Sequence, residues 1–236
     1  MRTGGGVARS RAAERAGRGN GAFWTVLTAV EVGLAVLVVL LDLLLPTLML
    51  LVLTVVSLAV RRVGPGTLGF RRPPSWPTVV ATVAAVTVLW TGAQLAVFIP
   101  VLEHVTGQRQ HLGTFDDLEG DAATLAVLLV ASWTLAALGE ETAFRGYLQV
   151  RIAALLGPDR AGTVTIAAVA AAVLFGMLHL EQGPVGVGAT FADALLFSWL
   201  ARRSPAGLWA AVLAHGFNNT LGLTTFFLVG PVYGLW

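Results

Sequence analysis

The sequence predicts an all-α, polytopic transmembrane bundle of about seven helices, and three observations carry that prediction. The 236 residues are 56% hydrophobic and 12% charged, with a mean hydropathy of +0.78, outside the range of soluble domains. The apolar residues come in runs near the roughly 20 residues that a bilayer core about 30 Å thick requires. The 15 basic residues are all Arg, and they lie between the runs instead of gathering on one polar face. A net charge of +2 and a pI near 9.9 therefore report topology, and no nucleic-acid partner is expected. The chain has no Cys and no Lys. Disulfide scaffolds, Cys-ligated metal centres, thiol nucleophiles, Schiff-base chemistry and a Ser-Lys dyad are thereby excluded.

Residues 1–20 hold Arg2, Arg9, Arg11, Arg15 and Arg18 among Gly and Ala. They are too polar to form a core and read as a disordered basic arm. The run 22–41 that follows lacks the A-x-A site of a signal peptide and is succeeded by another run, so it reads as a retained first helix; a transit peptide is the alternative. The second run, 44–60, is set off by Leu41-Asp42-Leu43 and Pro46, which reads as a tight turn or as a bend in one long helix. Further runs at 78–100, 122–142, 161–180, 185–201 and 206–229 complete the set, with Gly157-Pro158-Asp159-Arg160 as the turn between the fourth and fifth. Three regions result: the arm 1–20, the N-terminal helices and outer loop 21–121, and 122–236, where the ionisable residues of the spans gather. With an internal N-terminus, fourteen of the 15 Arg fall on one side. The exception, Arg109, sits in loop 101–121 beside Glu103, Asp116, Asp117, Glu119 and Asp121. Positive-inside bias makes the Arg side, and the N-terminus with it, cytoplasmic. The polar residues of the second half have no counterparts in the first, which argues against the repeats of a transporter.

A charge at mid-bilayer costs about 2.5–3.5 kcal/mol on translocon scales, so ionisable residues inside spans are functional candidates. The first group is Gly139-Glu140-Glu141-Thr142-Ala143-Phe144-Arg145. Glu141 and Arg145 are spaced i, i+4 with the acid first, the orientation that favours pairing, while Glu140 points about 100° away. One acid can be held by Arg145 while the other faces a neighbouring helix; a solvated helix end is the plainer reading. Phe175 and His179 end the fifth run, and His215 and Asn219 share a face of the seventh at i, i+4. A lone His in such a run commonly bonds one helix to another, but two of them with an acid pair make a site. Glu140 precedes Asp159 by 19 residues and His179 follows Arg160 by 19, so straight antiparallel helices bring them level. A kink near Gly146 with an interfacial stretch 147–156 is the competing geometry.

The three groups, Glu-Glu-x-x-x-Arg at Glu140, Glu141 and Arg145, Phe-x-x-x-His at Phe175 and His179, and His-x-x-x-Asn at His215 and Asn219, resemble the intramembrane proteases of the CPBP family, the CAAX prenyl proteases and bacteriocin-immunity proteins. The resemblance covers about 140–219. It implies a protease core within 122–236, in a bacterial cytoplasmic membrane, acting on a membrane-associated peptide or protein embedded in or docked on the lipid bilayer. It also implies that Glu140 with His179 activates a water that attacks a peptide carbonyl, while His215 and Asn219 stabilise the oxyanion. The residues agree with those roles. A neighbouring imidazole can share a proton with a carboxylate, and an amide and an imidazole N–H are suitable donors to negative charge in a dry site. Glu141, Arg145 and Phe175 are then supporting residues; a second-acid role for Glu141 stays open, and Asn218 offers a second amide.

No cofactor is favoured. The alternative is a zinc-dependent metalloprotease with Glu140, His179 and His215 as ligands around an open position. No His-Glu-x-x-His helix is present, and Asn219 is a better amide donor than zinc ligand. A non-catalytic immunity or scaffold protein that keeps the same fold is the alternative from another class. His104 and His111 belong to a polar loop and read as exposed. Glu31 interrupts the first span and can face an Arg, Asp193 can line the cavity beside either span His, and Trp24, Trp90, Trp133, Trp199 and Trp209 read as interface anchors and packing. Gly183, Gly186 and Gly188 around Pro184 read as a turn.

Overall fold

The computed structural model describes residues 5–157 and 161–234, with side chains from 21 onward except at 114, 116 and 161. Seven long helices follow in chain order: α1 (Gly5–Leu40), α2 (Pro46–Arg61), α3 (Trp76–Thr106), α4 (Ala122–Leu156), α5 (Ala161–Met177), α6 (Gly183–Arg203) and α7 (Leu208–Val229). The described residues contain no strand, only an isolated bridge between Phe70 and Gly207. The expected all-α class holds.

Three expectations need correction or refinement. Helix α1 begins at Gly5, inside the stretch expected to be disordered. Ala, Arg and Glu are strong helix formers, so a helix nucleated in the apolar run propagates back through them. The seven runs are also unequal in reach. Four segments are long and apolar enough to cross a bilayer: Gly21–Leu40, Trp76–Thr106, Ala122–Leu156 and Leu180–Arg203. Helices α2 and α5 have 16 and 17 residues, about 24 and 25 Å at about 1.5 Å per residue, short of a core about 30 Å thick. Helix α7 has the length, 22 residues, but His215, Asn218 and Asn219 dilute its apolar character. The glycines around Pro184 do not form a loop, because α6 starts at Gly183 (φ +74°) with Pro184 in its first turn, where a missing N–H and a fixed φ suit a helix start.

Helices α1 and α2 are separate. Between them the chain reverses through Asp42 and Leu44 in left-handed conformations, and Pro46 opens α2. Helix α4 starts at Asp121, whose carboxylate accepts from the backbone N–H groups of Ala123 (2.9 Å) and Thr124 (3.2 Å) and from Thr124 Oγ1 (2.6 Å). These bonds hold the Asp121 carboxyl below its ordinary pKa, the Thr124 hydroxyl contributing most. The turn expected at 157–160 lies, apart from Gly157, outside the described residues.

Helix α5 packs on α6, α6 on α7, and α7 on α3 and α4, while α1 and α2 cover the far side of α4. Small residues let these backbones approach: Ala172, Ala194, Ala210, Ala211 and Ala214 are fully or almost fully buried. The outer faces remain apolar and uncovered, with Leu89 74%, Val127 69% and Leu228 66% exposed. Apolar surface on this scale requires lipid against it, so the chain is an integral membrane protein. Loop contacts define two ends. At one, Arg71 N–H donates to Ala206 O (3.2 Å) and Leu208 N–H to Gly69 O (2.9 Å); at the other, His111 N–H donates to Gln182 O (3.0 Å) and Gly120 N–H to Phe227 O (3.1 Å).

Candidate active site

Helix α4 is not uniformly α-helical. Its backbone widens into π-helical turns over Ser132–Glu140 and again over Thr142–Leu148, leaving Glu141 between them. Such segments are rare and concentrate at functional sites. The two adjacent acids diverge here: Glu140 is on the wall of a cavity, whereas Glu141 is fully buried.

Glu141 Oε1 accepts from Arg145 Nη1 at 3.0 Å and lies 2.9 Å from His215 Nδ1. The expected Glu141–Arg145 pair therefore forms, and it includes a third member that the sequence did not link to it. Arg145 holds its guanidinium 4.3 Å over the Phe175 ring, a cation–π contact in a dry interior. The His215 ring stacks on Phe197 at 5.2 Å with 19° between planes. Two contacts thus fix His215 in the plane of the ring and across it.

His179 lies just past the end of α5 at Met177, and its Nδ1 lies 3.0 Å from Phe175 O. With that nitrogen engaged by the backbone, Nε2 is the one left for chemistry. Glu140 Oε1 accepts from Thr47 Oγ1 at 3.3 Å, which ties the acid to α2. A cavity of about 480 Å³ collects Glu140, Phe175, His179, His215 and Asn219 on its wall, a volume within the roughly 300–1,000 Å³ of small-ligand sites. Glu141 and Arg145 stand behind that wall. Expected candidates from α4, α5 and α7 are so brought together in one space, without a direct Glu140–His179 hydrogen bond.

The structure links Asp193, which lines the cavity as the sequence allowed, to Trp90, which read as an anchor or packing. Asp193, buried on α6, accepts from Trp90 Nε1 at 2.6 Å and from Asn218 Nδ2 at 3.3 Å, and Asn218 Oδ1 accepts from Thr91 Oγ1 at 2.9 Å. Trp90, expected as an anchor, is a half-buried donor to a carboxylate. This commits Asn218 on both sides of its amide and leaves Asn219 as the amide available to the cavity. Thr47, Trp90 and Thr91 lie in the N-terminal half, where a Thr or Trp within an apolar helix carries no pattern of its own. Asp193 was the one visible signal. Glu31, by contrast, meets Arg61 at 2.7 Å, as an acid in a span should, and His104 and His111 are exposed.

Among the described residues, no three His, Cys, Asp or Glu side chains converge closely enough to hold a metal ion. His215 Nδ1 and His179 Nδ1 are directed at Glu141 and at a backbone carbonyl.

No curated protein and no solved structure matches the chain. A family model does, over residues 122–221, from the start of α4 into α7, described as type II CAAX prenyl endopeptidase Rce1-like. The matched segment contains every acid, imidazole and amide that the three sequence motifs supplied. Over residues 122–221 the chain is thus similar to the CAAX protease family that those motifs resemble.

Proposed function

We propose that this chain is an active intramembrane endopeptidase that hydrolyses a peptide bond of a membrane-associated peptide or protein by glutamate-activated water. The observation that carries the reading is the cavity on which Glu140, His179, His215 and Asn219 open together. Glu140 accepts a proton from water as the oxygen attacks the carbonyl carbon, and His179 Nε2 orients that water or shares the proton. The carbonyl π electrons move to its oxygen, which receives hydrogen bonds from the Asn219 amide and from His215 Nε2. The Glu141 carboxylate, 2.9 Å from His215 Nδ1, holds that ring in place. Collapse of the tetrahedral adduct breaks the C–N bond, and the proton held by the Glu140–His179 pair passes to the departing amine. Asp193 positions α7 through Asn218 and touches none of the reacting atoms.

Cleavage of a diverse peptide library by purified, detergent-solubilised protein tests the reading. Glu140→Ala, His179→Ala and His215→Ala are each expected to abolish cleavage, and a chelator is expected to leave the wild type active. Chelator-sensitive cleavage transfers the same residues to a metal mechanism. Absence of cleavage by the wild type across the library favours a binding scaffold of the immunity type.

A further inference from the structure

Three acids are buried among the described residues: Glu31, Glu141 and Asp193. Two of them have an Arg at ion-pair distance, Glu31 with Arg61 at 2.7 Å and Glu141 with Arg145 at 3.0 Å. Asp193 has none among the described residues. Its Oδ1 accepts from Trp90 and its Oδ2 from Asn218, and Gln94 adjoins it. These donors are neutral, so they occupy lone pairs and leave the charge uncompensated. A buried charge is ordinarily paired, because only an opposite charge held close repays its desolvation.

The difference follows position. Glu31 and Glu141 stand outside the cavity lining, whereas Asp193 is part of it. The acids paired within the protein are the ones behind the wall, and the unpaired one borders the space that a substrate enters. That wall also holds Glu140 and, among the described residues, no Arg; the chain has no Lys. The imidazoles of the wall turn their Nδ1 atoms to Phe175 O and to Glu141, not to Asp193. A low-dielectric cleft lined by one sign of charge concentrates the opposite sign and repels its own. A carboxylate offers about four lone-pair sites, so Asp193 keeps room for one more donor. Asn218, which bonds Asp193, is the chain neighbour of Asn219, so this acidic spot adjoins the amide assigned to the oxyanion.

We infer that Asp193 is a specificity-determining residue, which receives the cationic side chain of a Lys or Arg that the substrate carries close to its scissile bond. In an endopeptidase substrate the bond is internal, so a side chain and not a terminal amine supplies the cation. The inference rests on reading the cavity as the peptidase site, and it gives Asp193 a contact with substrate in addition to its hold on α7.

The test uses N-acetylated peptides that differ at one residue, scanned along either side of the scissile bond as Lys, norleucine or Glu. Norleucine keeps the aliphatic stem of Lys and lacks its ammonium. The full-length wild type is expected to prefer Lys over norleucine at one position by about 10- to 100-fold in kcat/KM, the worth of a hydrogen bond to a charged group, and to disfavour Glu there. Asp193→Asn is expected to bring the Lys-to-norleucine ratio close to one, and Asp193→Glu, which retains the charge, to keep Lys preferred. The ratio is the readout, so a general loss of rate through a displaced α7 does not imitate the effect. A wild type indifferent to Lys at every position overturns the subsite, and an Asp193→Asn ratio equal to that of the wild type places the cation elsewhere. Binding of the same peptides, followed by fluorescence anisotropy, separates the two readings: Lys preference in affinity without cleavage removes the peptidase reading alone, and cleavage without Lys preference removes the subsite alone.

Discussion

At the scale of single residues, Glu140 and Glu141 are neighbours with opposite duties. Glu140 lines the cavity and, among the described residues, accepts a side-chain hydrogen bond from Thr47 Oγ1, whereas Glu141 is fully buried between Arg145 and His215. Glu140→Gln therefore lowers kcat by about 100- to 10,000-fold, the worth of a general base, with little change in the unfolding temperature. Glu141→Ala leaves Arg145 buried without its carboxylate and costs about 3–5 kcal/mol of stability, read as a lower unfolding temperature in detergent. Parallel unfolding curves and cleavage rates for the two variants check the division; equal destabilisation by both contradicts it. The Glu141–Arg145 pair was legible from i, i+4 spacing. The link to His215 was not, because it spans 74 positions and depends on how α7 packs against α4.

At the scale of helices, close approach and caps decide where the catalytic side chains stand. Gly216 follows His215, and a Cβ there would lie 2.5 Å from the Trp133 ring, on the helix that bears Glu140. Gly216→Ala forces α7 and α4 apart and costs about 1–3 kcal/mol through overpacking; activity falls with it, and pairing the change with Trp133→Leu restores part of both. At the start of α4, Asp121 makes a pH-dependent contribution. Its pKa is lower folded than unfolded, so its capping is fully present at neutral pH, above the ordinary carboxylate value. It is lost as acidification carries the carboxyl through its lowered folded value. Amide exchange at Ala123 and Thr124 accelerates over that acid range, and Asp121→Asn removes most of the pH dependence while keeping an acceptor. Periodicity and turn residues revealed the existence of these helices, but not the π-helical turns of α4, which leave no composition signal, nor the end of α5 at Met177, because Leu178 and Leu180 continue its apolar run.

At the scale of the molecule, the site belongs to the C-terminal helices while its support comes from both halves. The motifs of 122–221 were readable because charged groups stand out against an apolar background, and their meeting in one cavity follows from antiparallel helices of comparable depth. The N-terminal half offered no such contrast, and its contribution appears only in three dimensions. Thr47 reaches Glu140, Trp90 reaches Asp193, and Glu31 joins α1 to Arg61 of α2 at 2.7 Å and to Arg151 of α4 at 3.5 Å. That last cluster stands outside the cavity lining and is the ionic tie between α1, α2 and the C-terminal end of α4. Its members act as a unit, so their deletions are not additive: Glu31→Ala strands two Arg side chains, whereas Glu31→Ala with Arg61→Ala removes the acid and its closest partner together. A double-mutant cycle in detergent is expected to give a coupling of about 0.5–3 kcal/mol between Glu31 and Arg61, with kcat unchanged below the unfolding temperature. Additive losses indicate that the two groups stabilise the bundle separately, and a loss of kcat at full folding indicates that the tie reaches the cavity.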